Sequence, residues 1–155
     1  MSEPTRDMQD LYRELVLDHS RNPRHFGRLD GATHMADGIN PLCGDKLRLY
    51  LRVNDGGEIE SSSFEGSGCA ISVASASLMT EAVNGLPVAE AESCSCAVTN
   101  RLSTGDLDVE LTANLEKLNA LDGVRAYPSR IKCATLAWHA LRSALNNDTT
   151  PATTE

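Results

Sequence analysis

A strict alternation of apolar and polar side chains over residues 47–53 constrains the fold more than any other feature of the chain. The apolar side chains stand at every second position, at Leu47, Leu49, Leu51 and Val53. Because alternate side chains of a β-strand point to opposite faces, this segment predicts a strand with one buried face. The Asn-Asp-Gly-Gly sequence at residues 54–57 predicts a hairpin turn into a second strand over residues 58–65. There Ile59 and Phe64 are out of phase, as a β-bulge would make them.

Helices are predicted on both sides of this hairpin, from apolar residues at helical spacing and from a segment of small residues. The predicted segments are residues 5–20, a helix from Cys69 to about residue 84, one or two short helices within 88–113, residues 115–121, and a last helix from Pro128 with Ser129 as its N-cap. A short strand is expected near residues 33–36. Strands early and helices late indicate an α+β domain in which helices pack on one face of a small antiparallel sheet.

The size and charge of the chain narrow the classes of protein to which it can belong. The 155 residues suit one domain, which we assign to residues 5–146, followed by a polar, threonine-rich tail over 147–155 that we expect to be disordered. The net charge of −8 makes binding to a nucleic acid backbone unfavourable. No apolar run approaches the ~20 residues that span a bilayer, and residues 1–10 lack the apolar core of a secretion signal. A cytoplasmic location is therefore expected.

The five cysteines are the candidates for chemistry, because an odd number in a reducing compartment favours metal ligands, redox groups or buried apolar residues over disulfides. Cys43 and Asp45 flank Gly44, which allows a sharp turn, so a thiolate and a carboxylate can converge there as half of a tetrahedral metal site. The alternative is a loop cysteine beside an aspartate that caps a turn.

The other cysteines are also open to two interpretations each. Cys69 follows a Gly-Ser-Gly sequence and opens a helix, where backbone N–H groups favour a thiolate; it could equally be a buried cysteine among small residues. Cys133 follows Arg130 and Lys132, two cations that would favour a thiolate, but cysteine is also a common core residue. Cys94 and Cys96 form a Cys-x-Cys pair that we interpret as peripheral thiols. The four histidines show no metal-ligand spacing among themselves.

Taken together, these motifs resemble the U-type iron–sulfur cluster assembly proteins, and within them the SufU branch. The resemblance covers about residues 8–142. The matching motifs are His19-Ser20-Arg21-Asn22-Pro23-Arg24, Asn40-Pro41-Leu42-Cys43-Gly44-Asp45, Phe64-Glu65-Gly66-Ser67-Gly68-Cys69-Ala70-Ile71-Ser72 and Pro128-Ser129-Arg130-Ile131-Lys132-Cys133. Lysine rather than histidine stands before the last cysteine, which is similar to SufU. Cys94 and Cys96 do not match the family pattern.

The resemblance implies a SufE/NifU-like fold and a Zn²⁺ site formed by Cys43, Asp45, Cys69 and Cys133. It further implies a zinc-dependent sulfurtransferase that accepts persulfide sulfur from a SufS-type cysteine desulfurase, with other SUF assembly components and apo iron–sulfur proteins as further partners. Whether the chain is itself an enzyme or an activator of the desulfurase stays open. Three thiolates and one carboxylate exceed the charge of zinc by two, and Lys46, Arg130 and Lys132 are the cations available to offset it.

Three hypotheses follow for the site. In the first, docking of the desulfurase releases Cys43, a histidine of the partner replaces it on zinc, and Cys43 attacks the persulfide as the catalytic nucleophile. In the second, the same residues hold a nascent [2Fe–2S] cluster as a scaffold. In the third, zinc only stabilises a small domain. The sequence leaves open the metal, the oligomeric state, the downstream sulfur acceptor and the role of Cys94 and Cys96.

Overall fold

A computed structural model describes residues 6–41, 44–104, 121, 124, 127–147 and 152–153 of the chain. Within these residues it contains four helices, α1 (Arg6–Arg21), α2 (Ala70–Val83), α3 (Val88–Thr104) and α4 (Pro128–Leu145), and four strands, β1 (His34–Asn40), β2 (Asp45–Val53), β3 (Ile59–Ser67) and β4 (Ala152–Thr153). The predicted α+β class is confirmed. Across the described segments, none of the helices has the length and apolar character that crossing a bilayer requires.

The sheet is built on the hairpin that the sequence predicts. Its strand order is β3-β2-β1-β4, and β2 pairs antiparallel with both neighbours. Arg52 pairs with Ser61 whereas Val53 pairs with Ile59, so Glu60 is an extra residue and the bulge is confirmed. The short strand β4 pairs parallel to β1. The predicted sheet is therefore antiparallel over its three long strands.

One face of the sheet forms the core and the other faces solvent. Leu49 and Leu51 of β2 are completely buried, whereas Arg48 and Arg52 are exposed, and Arg48 forms an ion pair with Asp37 of β1 at 2.8 Å. Helix α4 packs against β1 and β2, and α2 packs against β3. The predicted packing of helices on one face is confirmed.

Helices α2 and α4 are joined by a buried hydrogen-bond relay as well as by apolar contacts. The Ser75 hydroxyl donates to the Ala134 carbonyl oxygen at 2.5 Å and accepts from the Trp138 indole N–H at 3.2 Å. Ser75, Ala134 and Trp138 are all completely buried. Small residues on α2 permit this close approach. Because Cys133 precedes Ala134, the relay also sets where the start of α4 lies relative to α2.

Three predicted details differ from the structure or lie outside it. The N-cap of α4 is Tyr127 rather than Ser129, because Pro128 takes the first helical position, where its missing N–H costs nothing. Residues 88–104 form a single helix of 17 residues, longer than the one or two short helices predicted within 88–113. The helix predicted over 115–121 lies outside the described residues except for residue 121. Of the predicted disordered tail, residues 152 and 153 pair with β1, so the domain boundary at residue 146 stays a prediction.

Candidate metal centre

Three of the predicted ligands, from three different elements, come together at one end of the sheet. Asp45 is the first residue of β2, Cys69 is the N-cap of α2, and Cys133 lies in the second turn of α4. One carboxylate oxygen and the two sulfur atoms all lie within 4.8 Å of one another. Two sulfurs bound to one tetrahedral zinc ion at 2.3 Å would be about 3.8 Å apart. The arrangement therefore fits a metal ion after small side-chain adjustments.

Asp45 is completely buried, and both of its carboxylate oxygens have donors. Oδ1 accepts the backbone N–H of Cys69 at 2.8 Å, and Oδ2 accepts the Asn40 side-chain amide at 3.2 Å. Gly68 lies directly against the same carboxylate, because a Cβ atom at this position would lie 2.5 Å from Oδ1. The carboxylate is therefore held in one orientation by its neighbours on the β1–β2 and β3–α2 connections.

Cys69 and Cys133 differ in exposure. Cys69 is partly exposed, and its side chain makes no capping hydrogen bond to α2, although the position itself is the N-cap. Cys133 is completely buried. Its sulfur lies 3.5 Å from the Asn40 amide nitrogen, a donor, and 3.6 Å from the Ser129 carbonyl oxygen, an acceptor for a thiol.

Arg130 supplies positive charge to the two sulfurs. The charge of Cys69 and a hydrogen bond to it raise the pKa of Arg130 above its ordinary value, and Cys133 adds to the effect. Of the three candidate cations named in the sequence analysis, Arg130 thus interacts with both sulfurs. This is the compensation that a site with several anionic ligands requires.

The fourth predicted ligand, Cys43, lies outside the described residues, as does its predicted role as nucleophile. Its membership of the site stays a prediction. Cys43 is separated from Asp45 by Gly44, whose φ of +72° is a conformation that glycine adopts at little cost. The Gly44 N–H donates to the Asn40 carbonyl oxygen at 2.9 Å, which tightens the turn between β1 and β2.

The remaining cysteines lie on α3, and one of them is not peripheral as predicted. Cys94 is buried in the hydrophobic core, and burial raises its pKa to about 12. It is therefore a core thiol that stays protonated at neutral pH. Cys96 is partly exposed. The two side chains point in different directions because residues two apart on a helix do not share a face.

Two polar residues to which the sequence analysis gave no role are buried in the structure. Asn40 was part of a matching motif, and its position before a proline at a strand end was the available signal. His19 is 1% exposed, and its ring lies 2.7 Å from the Ser77 hydroxyl and 3.4 Å from a Glu81 carboxylate oxygen. His19 thus connects the end of α1 to α2. The histidines were considered in the sequence analysis only as metal ligands, and this contact does not depend on metal-ligand spacing.

The chain is similar to known proteins over most of its length. The family model for the NifU-like N-terminal domain matches residues 11–150. The zinc-dependent sulfurtransferase SufU of Bacillus subtilis is 40% identical over 139 residues, which cover 90% of this chain and 92% of that protein. The iron–sulfur cluster assembly scaffold protein IscU of Thermotoga maritima is 38% identical over 141 residues, covering 91% and 96%.

A solved structure gives the same result for the fold. The crystal structure of a protein from Fervidobacterium islandicum, described as an iron–sulfur cluster assembly scaffold for the SUF system, superposes with a TM-score of 0.74. It is 33% identical and covers 91% of this chain and 99% of its own. The similarity therefore extends over nearly the full length of these proteins.

Proposed function

The chain belongs to the NifU-like N-terminal domain family, and on that premise we propose that it is a zinc-dependent sulfurtransferase of iron–sulfur cluster assembly. Its sulfur donor would be the persulfide of a SufS-type cysteine desulfurase. The observation that carries the proposal is the convergence of Asp45, Cys69 and Cys133 within 4.8 Å. The similarity to the Bacillus subtilis sulfurtransferase supports the choice of zinc and of sulfur transfer.

The donor set suits zinc. Thiolates and a carboxylate are among the ligands that zinc accepts in a tetrahedral site. When bound, zinc supplies Lewis acidity that keeps its cysteine ligands deprotonated at neutral pH. Cys69, Cys133 and Asp45 would hold the ion from α2, α4 and β2, and Cys43 would complete the set. Arg130 would offset part of the excess negative charge.

Cys43 is the residue that we propose as the nucleophile. Cys69 and Cys133 are fixed by helices, whereas Cys43 lies in sequence between the end of β1 and the start of β2. Its thiolate would attack the outer sulfur of the desulfurase persulfide, forming a new S–S bond as the old one breaks. The desulfurase cysteine leaves as a thiolate, and Cys43 carries the persulfide onward. Because the exchange needs reduced thiols, we expect it in a reducing compartment such as the cytoplasm.

The test is the effect of Cys43→Ala on metal content and on desulfurase activity, measured together. Wild-type protein should bind about one zinc per chain and stimulate a SufS-type desulfurase in turnover of cysteine. Cys43→Ala should abolish stimulation and carry no persulfide, because the attacking thiolate is gone. Cys96→Ala, which removes a partly exposed thiol outside the site, is the matched control and should behave as wild type. Full stimulation by Cys43→Ala would refute the role.

A scaffold function is the second candidate, and the similarity to the Thermotoga maritima scaffold protein favours it. The same thiolates can hold a [2Fe–2S] cluster. Anaerobic purification separates the two: a colourless zinc protein supports sulfur transfer, and a brown protein that passes its cluster to an apo-protein supports the scaffold. A purely structural zinc would instead leave the desulfurase unaffected, while Asp45→Ala would lower stability.

A further inference from the structure

We propose that Asn40 is a positioning residue of the metal centre, whose amide N–H groups hold Asp45 and Cys133 in the arrangement that accepts the ion. The inference rests on the proposed function in one respect, that a metal ion binds these ligands. It does not depend on whether that ion is zinc or belongs to a cluster, or on what Cys43 does.

Asn40 lies between two ligands that come from different parts of the chain. It is completely buried, and its Nδ2 atom is 3.2 Å from Asp45 Oδ2 and 3.5 Å from Cys133 Sγ. The amide nitrogen has two hydrogens, so it can donate one to each acceptor. Asp45 is paired with Asn40 across the β1–β2 connection, whereas Cys133 belongs to α4. The amide thus links the sheet to the helix at the site.

The backbone fixes the direction of this side chain. Asn40 is the last residue of β1 and precedes Pro41, and a residue before proline is restricted to extended conformations. In an extended strand, alternate residues share a face, and Asn40 shares the buried face with Ala36 and Gly38. The amide is therefore aimed at the site by the strand and needs no further support.

Electrostatics explains why a donor is needed there. Asp45 and Cys133 are both completely buried, and as metal ligands both carry negative charge. Two anions close together in a low-dielectric interior repel each other and are costly to desolvate. An amide that donates one N–H to each of the two anions stabilises both. Asn40 would therefore keep the two ligands together before the ion binds and hold their orientation afterwards.

The acceptor end of the Asn40 amide, its Oδ1 atom, indicates that Asp45 and Cys133 set the orientation of the amide. Asn40 Oδ1 is buried and has no hydrogen-bond partner among the residues that the structure describes. Turning the amide over would place Oδ1 against a carboxylate oxygen and a sulfur, two acceptors. An amide kept only for the stability of the fold would have both ends satisfied, as buried polar groups nearly always do. Within the described part of the chain, the donor end of this amide is paired and its acceptor end is not.

The experiment compares Asn40→Leu and Asn40→Ala with wild type, using Zn²⁺ affinity measured by chelator competition and the visible spectrum of the Co²⁺-substituted protein. Both variants remove the donor, but Leu keeps the branched shape and the number of heavy atoms of the side chain, and Ala does not. Both should bind Zn²⁺ about 10- to 100-fold more weakly, the usual effect of removing a hydrogen-bond partner of a ligand. Both should also shift the Co²⁺ ligand-field bands, because the Asp45 orientation changes.

Asn84→Leu is the matched control. It removes an amide that accepts the Ser62 hydroxyl at the opposite end of α2, and it should leave Zn²⁺ affinity and the Co²⁺ spectrum unchanged. The inference is overturned if Asn40→Leu and Asn40→Ala bind Zn²⁺ and Co²⁺ as wild type does. A loss in only one of them would also overturn it, because volume rather than the donor would then be responsible. Absence of metal binding in wild-type protein would instead refute the proposed function.

Discussion

At the scale of single residues, the candidate metal centre depends on small groups that leave room for larger ones. Gly68 is the clearest example, because a Cβ there would lie 2.5 Å from Asp45 Oδ1 and 3.1 Å from its Cβ. Asp45 is completely buried and is hydrogen-bonded to both Asn40 and Cys69, so its carboxylate has little space to move away from an added group. A single methyl group at residue 68 is therefore expected to disturb the carboxylate directly.

We predict that Gly68→Ala weakens metal binding by at least about 10-fold, as loss of ligand orientation does elsewhere. Stability should fall by about 1–3 kcal/mol from overpacking. Gly56→Ala is the control, because Gly56 lies in the exposed hairpin turn and a Cβ there meets only Asn54 Oδ1 at 3.4 Å. Titration with Zn²⁺ and urea unfolding measure the two effects. Equal affinity in both variants would show that the Gly68 contact is not limiting.

The residue scale also shows where sequence patterns stop being informative. The motifs alone left Asp45, Cys69 and Cys133 open to other interpretations, and the family resemblance predicted them as ligands; the structure brings their ligand atoms together. The burial of Cys94 was not predicted, because a Cys-x-Cys pair in a polar segment gives no sign of which side faces the core. Asn40 was similarly overlooked. Its importance depends on Cys133, which is distant in sequence and close only after folding.

At the scale of elements, α4 does most to connect the site with the core. Its start carries Cys133 and Arg130, and its middle carries Trp138, which is completely buried and bonded to Ser75 of α2. Helix boundaries followed from local signals such as proline at residue 128, but the choice of Tyr127 as the N-cap did not. Tyrosine is not a preferred N-cap residue, and Tyr127 takes this position because Pro128 occupies the first helical position.

His139 makes the stability of this helix dependent on pH. Burial lowers the pKa of His139 below the ordinary histidine value of 6.5, and the charge of Arg142 lowers it further. The unfolded chain therefore takes up this proton before the folded protein does. The stability contributed by neutral His139 is complete above about pH 6.5 and falls as the pH decreases through the interval between the two pKa values.

We predict that wild-type protein loses more stability than His139→Gln between pH 7.5 and the acidic side of this interval. Urea unfolding at each pH gives the free energy of unfolding of both proteins. In the difference between the two values, the contributions from carboxylates and from the metal centre cancel. Well above pH 6.5 the difference should no longer change with pH, because histidine is then neutral in both the folded and the unfolded state. Parallel pH curves for the two proteins would mean that His139 does not titrate differently on folding.

At the scale of the whole molecule, the strands and helices were largely predictable because their signals are local. Alternation gave β2, the Asn-Asp-Gly-Gly turn gave the hairpin, and the phase of Ile59 indicated the bulge that lies at Glu60. The site is different. It forms only because β1 and β2 pair at Asn40 and Asp45, while the Ser75 relay sets α4 beside α2. These contacts are long-range, and only the family resemblance anticipated their result.

If one zinc ion binds Cys43, Asp45, Cys69 and Cys133 together, X-ray absorption at the zinc edge of the zinc-loaded protein should show it. We expect three sulfur neighbours at about 2.3 Å and one oxygen at about 2.0–2.2 Å. Cys69→Ala should remove one of the sulfurs. A wild-type zinc environment with nitrogen and oxygen neighbours only, or one that Cys69→Ala leaves unchanged, would show that these residues do not form the site.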